Sequence, residues 1–319
     1  MRRRPLKRAA GNYAFNFISN WSGTVTPSKI GYTFSPVSKD YVNVTDNVIN
    51  ENYSATQNDY VLTITSANGT VAKNPNQAFY HEGDVVQLTA TPSAGWKFVN
   101  WTGGLTGAVN PSSITIHGNT SITANFRKIN TLNLNSISAQ DGWILESGEN
   151  TTAGGTLNAS ATTFILGDNA SKKQYRSILS FTTGGLSDTA VITSVTLKIK
   201  QSGLAVNGAT PAMFQGFLVD IRNGFFGTSA LQVTDFQAAA STPLAGIAPI
   251  TTTVGGWYTF NLTASKGYIN KLATNAGLTQ FRLRFKLDDN NNAVANYINF
   301  YSGNSLINKP TLTIQYYVP

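Results

Sequence analysis

The chain has 319 residues, of which 41% are hydrophobic, 11% aromatic and only 12% charged, with 28 Gly, two His and no Cys. The absence of cysteine excludes a disulfide framework, a thiolate zinc site and a cysteine nucleophile. No apolar run approaches the roughly 20 residues that a membrane-spanning helix needs. The abundance of Thr, Asn, Gly and aromatic side chains is typical of β-structure with polar turns rather than of a helical enzyme.

The net charge of +8 is concentrated in one short segment. Five of the 23 basic residues fall within residues 1–10, where no acid occurs, and the rest of the chain has 18 basic against 15 acidic residues. This predicts a basic N-terminal tail and gives no reason to expect nucleic acid as a partner. The tail is charged like the n-region of a signal peptide, but residues 11–19 supply no sustained apolar segment after it. We therefore expect either an intracellular protein or part of a longer exported polypeptide, and the modules that follow favour the second.

Residues 11–58 predict a small β-unit. Short apolar alternations, such as Tyr13, Phe15 and Phe17, are separated by Gly and Pro turns. The stretch GYTFSP, followed by NVT and NY, resembles the closing half of the prealbumin-like, carboxypeptidase-regulatory-type sandwich repeats of bacterial surface proteins. The resemblance implies a partial sandwich that lacks its earlier strands. Such a unit buries little core by itself, so we expect it to lean on its neighbour.

Residues 59–128 predict a second β-unit, because three runs alternate apolar and polar residues at period two. Asn68-Gly69, between the first two runs, is typical of a tight hairpin. The segments NGTV, EGDVVQLTATPSAGWKFVNW and TANF resemble the divergent internalin B-repeat of bacterial proteins. The resemblance implies a spacer repeat. We expect Trp96 and Trp101 to pack in its core and corner rather than to serve as ligand platforms.

Residues 129–319 predict one large antiparallel β-sandwich, because many short strand-like runs are separated by clusters of Gly, Asn, Asp and Ser. A helical interruption is expected near 265–273. The segments DGWILESGEN, LGDNASKKQYRSILSF, VITSVTLKIK, GGWYTFNL, FRLRFKLDDNNNAVANYINFYSGN and PTLTIQYYVP resemble the DNRLRE-type module of secreted bacterial proteins. The resemblance implies a jelly roll of the carbohydrate-binding-module kind, in which the ligand-contacting positions vary. The predicted strands are 143–145, 163–166, 177–181, 191–200, 217–221, 257–262, 281–287, 297–301 and 311–317.

Patterns typical of catalysis are missing from the sequence. His81 and His117 both stand beside turn residues, and no G-x-S-x-G motif accompanies them. Asp288 and Asp289 are adjacent, so on a strand their carboxylates point to opposite faces and cannot face each other across a sugar bond. Carboxylate pairs from different strands stay open. We expect no enzymatic activity in this chain.

An oxygen-rich loop raises the alternative of a structural calcium ion. Asp288 and Asp289 precede three Asn residues, and Asp141 and Asp168 lie in Gly-flanked turns of the same module. Calcium takes about six to eight oxygen ligands, which such loops supply, although the spacing matches no EF-hand. Ordinary turn chemistry explains the same residues, since Asp and Asn are favoured in turns. Both interpretations stay open.

The most distinctive pattern lies in the predicted strand 281–287, where apolar residues occupy one face and three cations occupy the other. The predicted strand 191–200 repeats this design with two lysines. If the two strands are neighbours, they form one basic face that can bind the carboxylates or sulfates of an acidic polysaccharide. A solvated face that only limits aggregation is the alternative. The cations expected to bind ligand are Arg282, Arg284, Lys286, Lys198 and Lys200.

Aromatic rings are the other device that binds sugars, since flat rings pack against the C–H faces of sugar rings. A sandwich also needs aromatic residues for its core, so each candidate has this second interpretation. Arg176 is expected either to pair with Asp168 or to face ligand. The aromatic candidates are Trp143, Tyr175, Trp257, Tyr258 and Tyr297.

These observations together predict a secreted, non-catalytic, all-β protein with two small β-units and a large jelly-roll sandwich. We expect the sandwich to bind an extended, acidic polysaccharide on a rigid sheet face, with spacer repeats before it. The alternative is a cell-surface or adhesin stalk in which every module is a spacer without a glycan ligand. In both cases the chain is expected to belong to a larger extracellular or cell-surface polypeptide.

Overall fold

The computed structural model describes residues 6–7, 13–14, 16–242 and 252–319. The chain divides into two compact units, Met1–Phe126 and Arg127–Pro319, and the regular structure of both is almost entirely β, as the sequence predicts. The basic tail over 1–10 lies outside the described residues, apart from the backbone of β1 (Leu6–Lys7). This short strand pairs antiparallel with β2 (Tyr13–Ala14).

The next four strands form two separate antiparallel pairs. β3 (Trp21–Val25) pairs with β5 (Lys39–Val44), and β4 (Tyr32–Ser35) pairs with β6 (Ser54–Gln57). No residue of these four strands is fully buried. This part of the chain therefore has little core, as expected from its length.

Six further strands of the first unit form two three-stranded sheets: β7 (Leu62–Ser66), β8 (Gly69–Asn74), β9 (Val85–Pro92), β10 (Trp96–Gly103), β11 (Ser112–Thr115) and β12 (Thr120–Lys128). One sheet has the order β10-β12-β7, and the other has the order β11-β9-β8. Residues of both sheets contribute to a single core, which includes Tyr80, Val86, Leu88 and Ile122. The six strands therefore enclose one hydrophobic core between two small sheets.

The two tryptophans of these sheets pack as the sequence predicts. Trp101 is buried, its Nε1 donates to the carbonyl of Val109 over 2.9 Å, and its ring lies 4.9 Å from that of Phe98. Trp96 is half-buried and contacts the same core. Both rings stabilise these two small sheets by burial.

The predicted hairpin at Asn68-Gly69 is wrong. Asn68 does adopt a left-handed turn conformation, with φ of 66°. The strands on either side enter different sheets, however, because β7 pairs in parallel with β12 and β8 pairs with β9. The alternation of apolar and polar residues predicts which side of each strand faces the core, but not which strand it pairs with. Two strands that lie in different sheets around a shared core show the same alternation as two strands of a hairpin. Close contact with the Phe126 ring also favours glycine at position 69.

The second unit contains two antiparallel sheets. The five-stranded sheet has the order β13-β24-β18-β21-β20, and the other sheet has seven strands. In the seven-stranded sheet β17 pairs with β14, β16 and β22, while β15, β23 and β19 extend these three. The strands are β13 (Asn130–Asn135), β14 (Gly142–Glu146), β15 (Gly154–Asn158), β16 (Thr163–Asp168), β17 (Gln174–Thr182), β18 (Val191–Lys200), β19 (Phe217–Asn223), β20 (Thr252–Val254), β21 (Trp257–Asn261), β22 (Leu278–Phe285), β23 (Asn296–Tyr301) and β24 (Thr311–Tyr317).

The main core of this unit lies between the two sheets, with Leu197, Phe260 and Leu312 from one sheet and Leu179 and Phe281 from the other. The predicted antiparallel sandwich is therefore confirmed. Each of the nine predicted strands coincides with or overlaps an observed one, whereas β13, β15 and β20 were not predicted. The helical interruption expected near 265–273 is a short 3₁₀ helix, Thr263–Tyr268.

Candidate functional site

The predicted basic strands are not neighbours. β22 lies between β17 and β19 in the seven-stranded sheet, whereas β18 lies between β24 and β21 in the five-stranded sheet. The expectation of one basic face formed by Arg282, Arg284, Lys286, Lys198 and Lys200 is therefore wrong. The alternation correctly places the apolar residues of both strands in the core, but it carries no information about which strands pair.

Arg282 is buried and stabilises the fold instead of facing solvent. Its Nε donates to Oδ2 of Asp220 over 2.8 Å, and its Nη2 lies 2.6 Å from the same oxygen. Its Nη1 donates to the carbonyls of Asp235 and Ala238, and the guanidinium lies over the Phe226 ring. A glycan cannot reach a side chain that is 6% exposed and fully engaged.

Arg284 shares the same carboxylate, with its Nε 3.6 Å from Oδ2 of Asp220. Burial lowers the pKa of Arg284, since removing a cation from water disfavours the charged form. Lys286 is exposed but follows the end of β22. The three predicted cations of this strand therefore do not form an exposed row.

A second small core explains why the outer side of β22 is shielded from solvent. The segment after β19, which includes the 3₁₀ helix Val233–Phe236, covers this side of the seven-stranded sheet. Arg176 lies beneath it, where its Nη1 donates to the carbonyl of Phe236 over 2.7 Å and its Nε donates to Gln174. Burial, with Arg284 and Arg282 nearby, lowers the pKa of Arg176 to about 10. Arg176, which is half-buried, therefore contacts Phe236 and Gln174 rather than Asp168. The core residues are Ile144, Ile178, Phe226, Leu231 and Phe236.

The remaining predicted cations lie on the outer face of the five-stranded sheet, where Lys198 is exposed and Lys200 is half-buried. Lys198 is exposed and stands opposite Thr311 of β24 and Thr259 of β21. Lys200 stands opposite Trp257, with its Nζ 5.7 Å from the ring centroid, and also donates to Asn308 over 3.4 Å. Strand pairing thus brings together three of the predicted binding residues.

A shallow hollow of about 460 Å³ lies on this face. At one side of it, Thr313 pairs with Thr196 of β18 and with Asn133 of β13, so hydroxyl and amide groups extend across the sheet. Among the described residues of β13, β24, β18, β21 and β20, none is an acid on this face. We term it the threonine face. The hollow is lined by Lys198, Val254, Trp257, Thr259, Thr311 and Thr313.

The other aromatic candidates are placed elsewhere. Trp143, Tyr175 and Tyr297 form a chain of edge-to-face ring contacts, with centroid distances of 5.3 and 5.8 Å. Trp143 also contacts the main core, and burial raises the pKa of the Tyr175 hydroxyl. Tyr258 is buried and belongs to that core, which is the alternative interpretation of an aromatic candidate. Only Trp257 joins the lysines of the threonine face.

The four carboxylates considered for calcium do not converge. Both oxygens of Asp168 accept backbone N–H groups, those of Asn290 and Asn296, and Asp288 and Asp289 accept N–H groups within their own turn. Within the described ranges, no three or more His, Cys, Asp or Glu residues are grouped so that they could hold a metal ion. Turn chemistry is therefore the interpretation that the contacts favour.

Asp141 is buried at a separate place, where it joins distant segments. Its Oδ1 accepts the N–H of Ser180 over 2.9 Å and its Oδ2 accepts that of Gly303 over 3.0 Å. Burial raises the pKa of Asp141 to about 7, although these hydrogen bonds and the charge of Lys309 act in the opposite direction. Asp141 therefore has a structural role and a proton affinity far from that of a solvated carboxyl.

This raised pKa predicts a pH dependence of stability. Between pH 4 and 7 the folded unit holds a proton that the unfolded chain, with a carboxyl pKa of about 3.9, has released. Stability from Asp141 is therefore full below about pH 4 and is lost as the pH rises to about 7. Urea unfolding at several pH values, compared with Asp141→Asn, checks this. The wild type should lose stability relative to the variant as the pH rises, and a constant difference between the two would contradict the assignment.

Both histidines lie at turns and contact carboxylates. Nε2 of His81 is 3.1 Å from Oδ1 of Asp59, and Nδ1 of His117 is 2.6 Å from Oε1 of Glu82. Both imidazoles are at least partly exposed. Each histidine therefore forms a polar pair with a carboxylate at the surface, and such pairs contribute little to stability.

Several residues that shape these sites were not predicted. Nothing in the sequence around Asp220 and Asp235 marks them as structurally important. Their role depends on their contacts with Arg282 of β22, which is distant in sequence. Thr311 and Thr313 alternate with the buried Leu312 and Ile314, so their orientation could have been read from the sequence. Their position beside Lys198 could not.

Comparison with known proteins gives one family. Residues 60–130 match the family model of the divergent InlB B-repeat domain. This confirms the resemblance predicted for the second β-unit, and β7 to β12 are the strands of the repeat. The match covers less than half of the chain. No curated protein matches the sequence.

A search of solved structures finds SGBP-B from a complex xyloglucan utilization locus in Bacteroides uniformis. The identity is 11% and the alignment covers 93% of this chain and 92% of that one, with a TM-score of 0.21. At that TM-score the likeness carries no argument about fold or ligand. Separately, none of the helices in the described parts of the chain combines the length and apolar character that crossing a bilayer requires.

Proposed function

We propose that the second unit is a non-catalytic carbohydrate-binding module and that an extended polysaccharide binds along the threonine face. One observation carries this proposal: a half-exposed Trp257 and two lysines lie among hydroxyl and amide side chains, on a face whose described residues include no acid. The function is the one expected from the sequence, but the surface differs because β22 and its arginines contribute nothing to it.

The chemistry of the threonine face suits a sugar polymer. An indole offers an apolar surface to the C–H faces of a sugar ring, while threonine and asparagine side chains can donate to and accept from its hydroxyls. Five strands about 4.8 Å apart give a width of roughly 19 Å, so a chain of several sugar rings can lie across them. No moving part is needed, because the strands hold these groups in place.

An acidic polysaccharide fits the charges on this face best. Lys198 has no carboxylate partner among the described residues, and Lys200 contacts only an amide oxygen and the Trp257 ring. A ligand that carries carboxylate or sulfate groups would neutralise both ammonium groups. Such pairs at an exposed surface weaken as salt rises.

Affinity electrophoresis through gels that contain acidic or neutral polysaccharides tests this proposal. We expect the full chain to be retarded by an acidic polysaccharide, and Trp257→Ala and Lys198→Ala to lose most of that retardation. Lys286→Ala removes an equally exposed cation outside the threonine face and serves as the matched control. Added salt should weaken the wild type more than Lys198→Ala. If no polysaccharide retards the wild type, or if Lys286→Ala has the same effect as Lys198→Ala, the proposal fails.

The same proposal includes the setting of the module. We infer that the second unit is a DNRLRE-type domain and that residues 11–58 are the closing half of a prealbumin-like repeat, within a larger extracellular or cell-surface polypeptide. The sequence segments quoted above and the sandwich of the second unit support this. In this setting the divergent InlB B-repeat serves as a spacer. The second candidate function, a stalk without a glycan ligand, is favoured by that repeat alone.

A further inference from the structure

The first and last strands of the repeat lie side by side and run in the same direction. β7 pairs in parallel with β12 over five residues, from Leu62 opposite Thr120 to Ser66 opposite Ala124. β12 is also the central strand of its sheet, because it pairs with β10 on its other side. The chain therefore enters the repeat at the start of this ladder and leaves at the far end of β12.

This topology determines how tension along the chain acts on the repeat. Force on the segment before Leu62 pulls β7 toward its own start, and force on the segment after Lys128 pulls β12 toward its own end. Since the strands are parallel, these forces are opposed along a common axis and the ladder is loaded in shear. The evenly spaced hydrogen bonds of a parallel pair then share the load and must break together.

We propose that the repeat is a load-bearing element, with the β7–β12 ladder as the clamp that resists extension of the polypeptide. A passive spacer needs only length, whereas this arrangement of terminal strands adds resistance to force. The role goes beyond glycan binding and does not depend on it, because the clamp lies wholly within the first unit.

Further contacts secure the ladder at the end where the chain enters. The N–H of Thr120 donates to the carbonyl of Val61 over 2.9 Å, and the N–H of Val61 donates to Oδ1 of Asn119 over 2.9 Å. On the core side, Leu62, Ile122 and Ala124 are buried. Their burial keeps water from that side of the ladder, so a broken hydrogen bond is not readily replaced by one to solvent.

Single-molecule pulling on the full chain tests the clamp, because the sequence has no cysteine and introduced thiols attach handles at defined sites. Handles at Asp59→Cys and Lys128→Cys load the ladder in shear. Handles at Asp59→Cys and Gly118→Cys attach near one end of the same ladder and peel β7 from β12 one bond at a time. A Cβ at position 118 meets no atom within 4 Å, so the second pair is compatible with the fold.

We expect the shear pair to rupture at a force several times higher than the peeling pair at the same loading rate. The length released in shear should correspond to residues 59–128, which identifies the repeat as the part that opens. Equal rupture forces in the two geometries would overturn the proposal. Matched near-ultraviolet circular dichroism of both variants establishes that the same fold is being compared.

A matched pair of asparagine variants separates the clamp from general stability. Asn119→Ala removes the acceptor for Val61 at the start of the ladder, whereas Asn110→Ala removes two hydrogen bonds to the backbone of Ala90 in the other sheet. In the shear geometry, Asn119→Ala should lower the rupture force and Asn110→Ala should leave it closer to wild type. If Asn110→Ala lowers it as much, the resistance resides in the whole repeat and the clamp assignment is wrong.

Discussion

Replacing Asp220 by Ala should destabilise the second unit by about 3–5 kcal/mol, because it leaves the buried guanidinium of Arg282 and the largely buried one of Arg284 without this carboxylate. Asp220 is 1% exposed, and its Oδ2 lies 2.6 Å from Nη2 of Arg282 and 3.6 Å from Nε of Arg284. The loss is larger than that of a surface ion pair because solvent cannot replace the missing charge. Urea unfolding of the full chain measures it.

Two further variants make this result specific. Asp188→Ala removes an exposed carboxyl from the same unit and should change stability by no more than about 0.5 kcal/mol. Asp220→Leu combined with Arg282→Met removes the principal charge pair and should recover part of the loss, since apolar replacements of buried ion pairs are often tolerated. A loss at Asp220→Ala no larger than at Asp188→Ala would show that the arginines are hydrated.

Trp101→Ala should cost the repeat about 3–5 kcal/mol, the usual range for truncating a fully buried large aromatic residue. The ring fills the space between the two small sheets beside Phe98, and its Nε1 satisfies the carbonyl of Val109. The variant therefore combines a cavity with the loss of the hydrogen bond to the carbonyl of Val109. Thermal unfolding followed by calorimetry should show a lower transition for the repeat.

Trp96→Ala is the matched control because it removes the same side chain from the same sheet at a half-buried position. Its effect should be clearly smaller, and neither variant should alter the transition of the sandwich. Comparable losses for the two variants would mean that Trp101 is less confined than its burial indicates.

Alternation in the sequence was enough to predict most strands of the sandwich and the side of each that faces the main core. The predicted strands 191–200 and 311–317 have the bounds of β18 and β24, and Phe281 and Leu283 are buried as expected. What alternation cannot tell is whether the other side of a strand meets water. The polar side of β22 is covered by a segment more than 40 residues before Arg282, which supplies the Phe226 ring and the carbonyls of Asp235 and Ala238. Arg282 is therefore a buried structural residue, although the alternation along its strand predicted an exposed side chain.

The sequence predicted which residues belong to the candidate site, but not how they are arranged. Lys198, Lys200 and Trp257 were expected to bind ligand, but on different grounds and without any reason to place them together. The register of β18 with β21 sets Lys200 opposite Trp257, and the register with β24 sets Lys198 opposite Thr311. Such registers depend on the packing of the whole sandwich, which a local pattern does not contain.

The edge of the five-stranded sheet also determines where the polypeptide attaches. Asn130 at the start of β13 lies opposite Tyr316 near the end of β24, so the chain enters the sandwich beside the last residues of β24. Thr311, beside Lys198, lies about 17 Å away at the other end of β24, at the usual rise of a strand. A long polymer that crosses the Trp257 end of the sheet would thus lie about one strand length from the point where the chain enters β13.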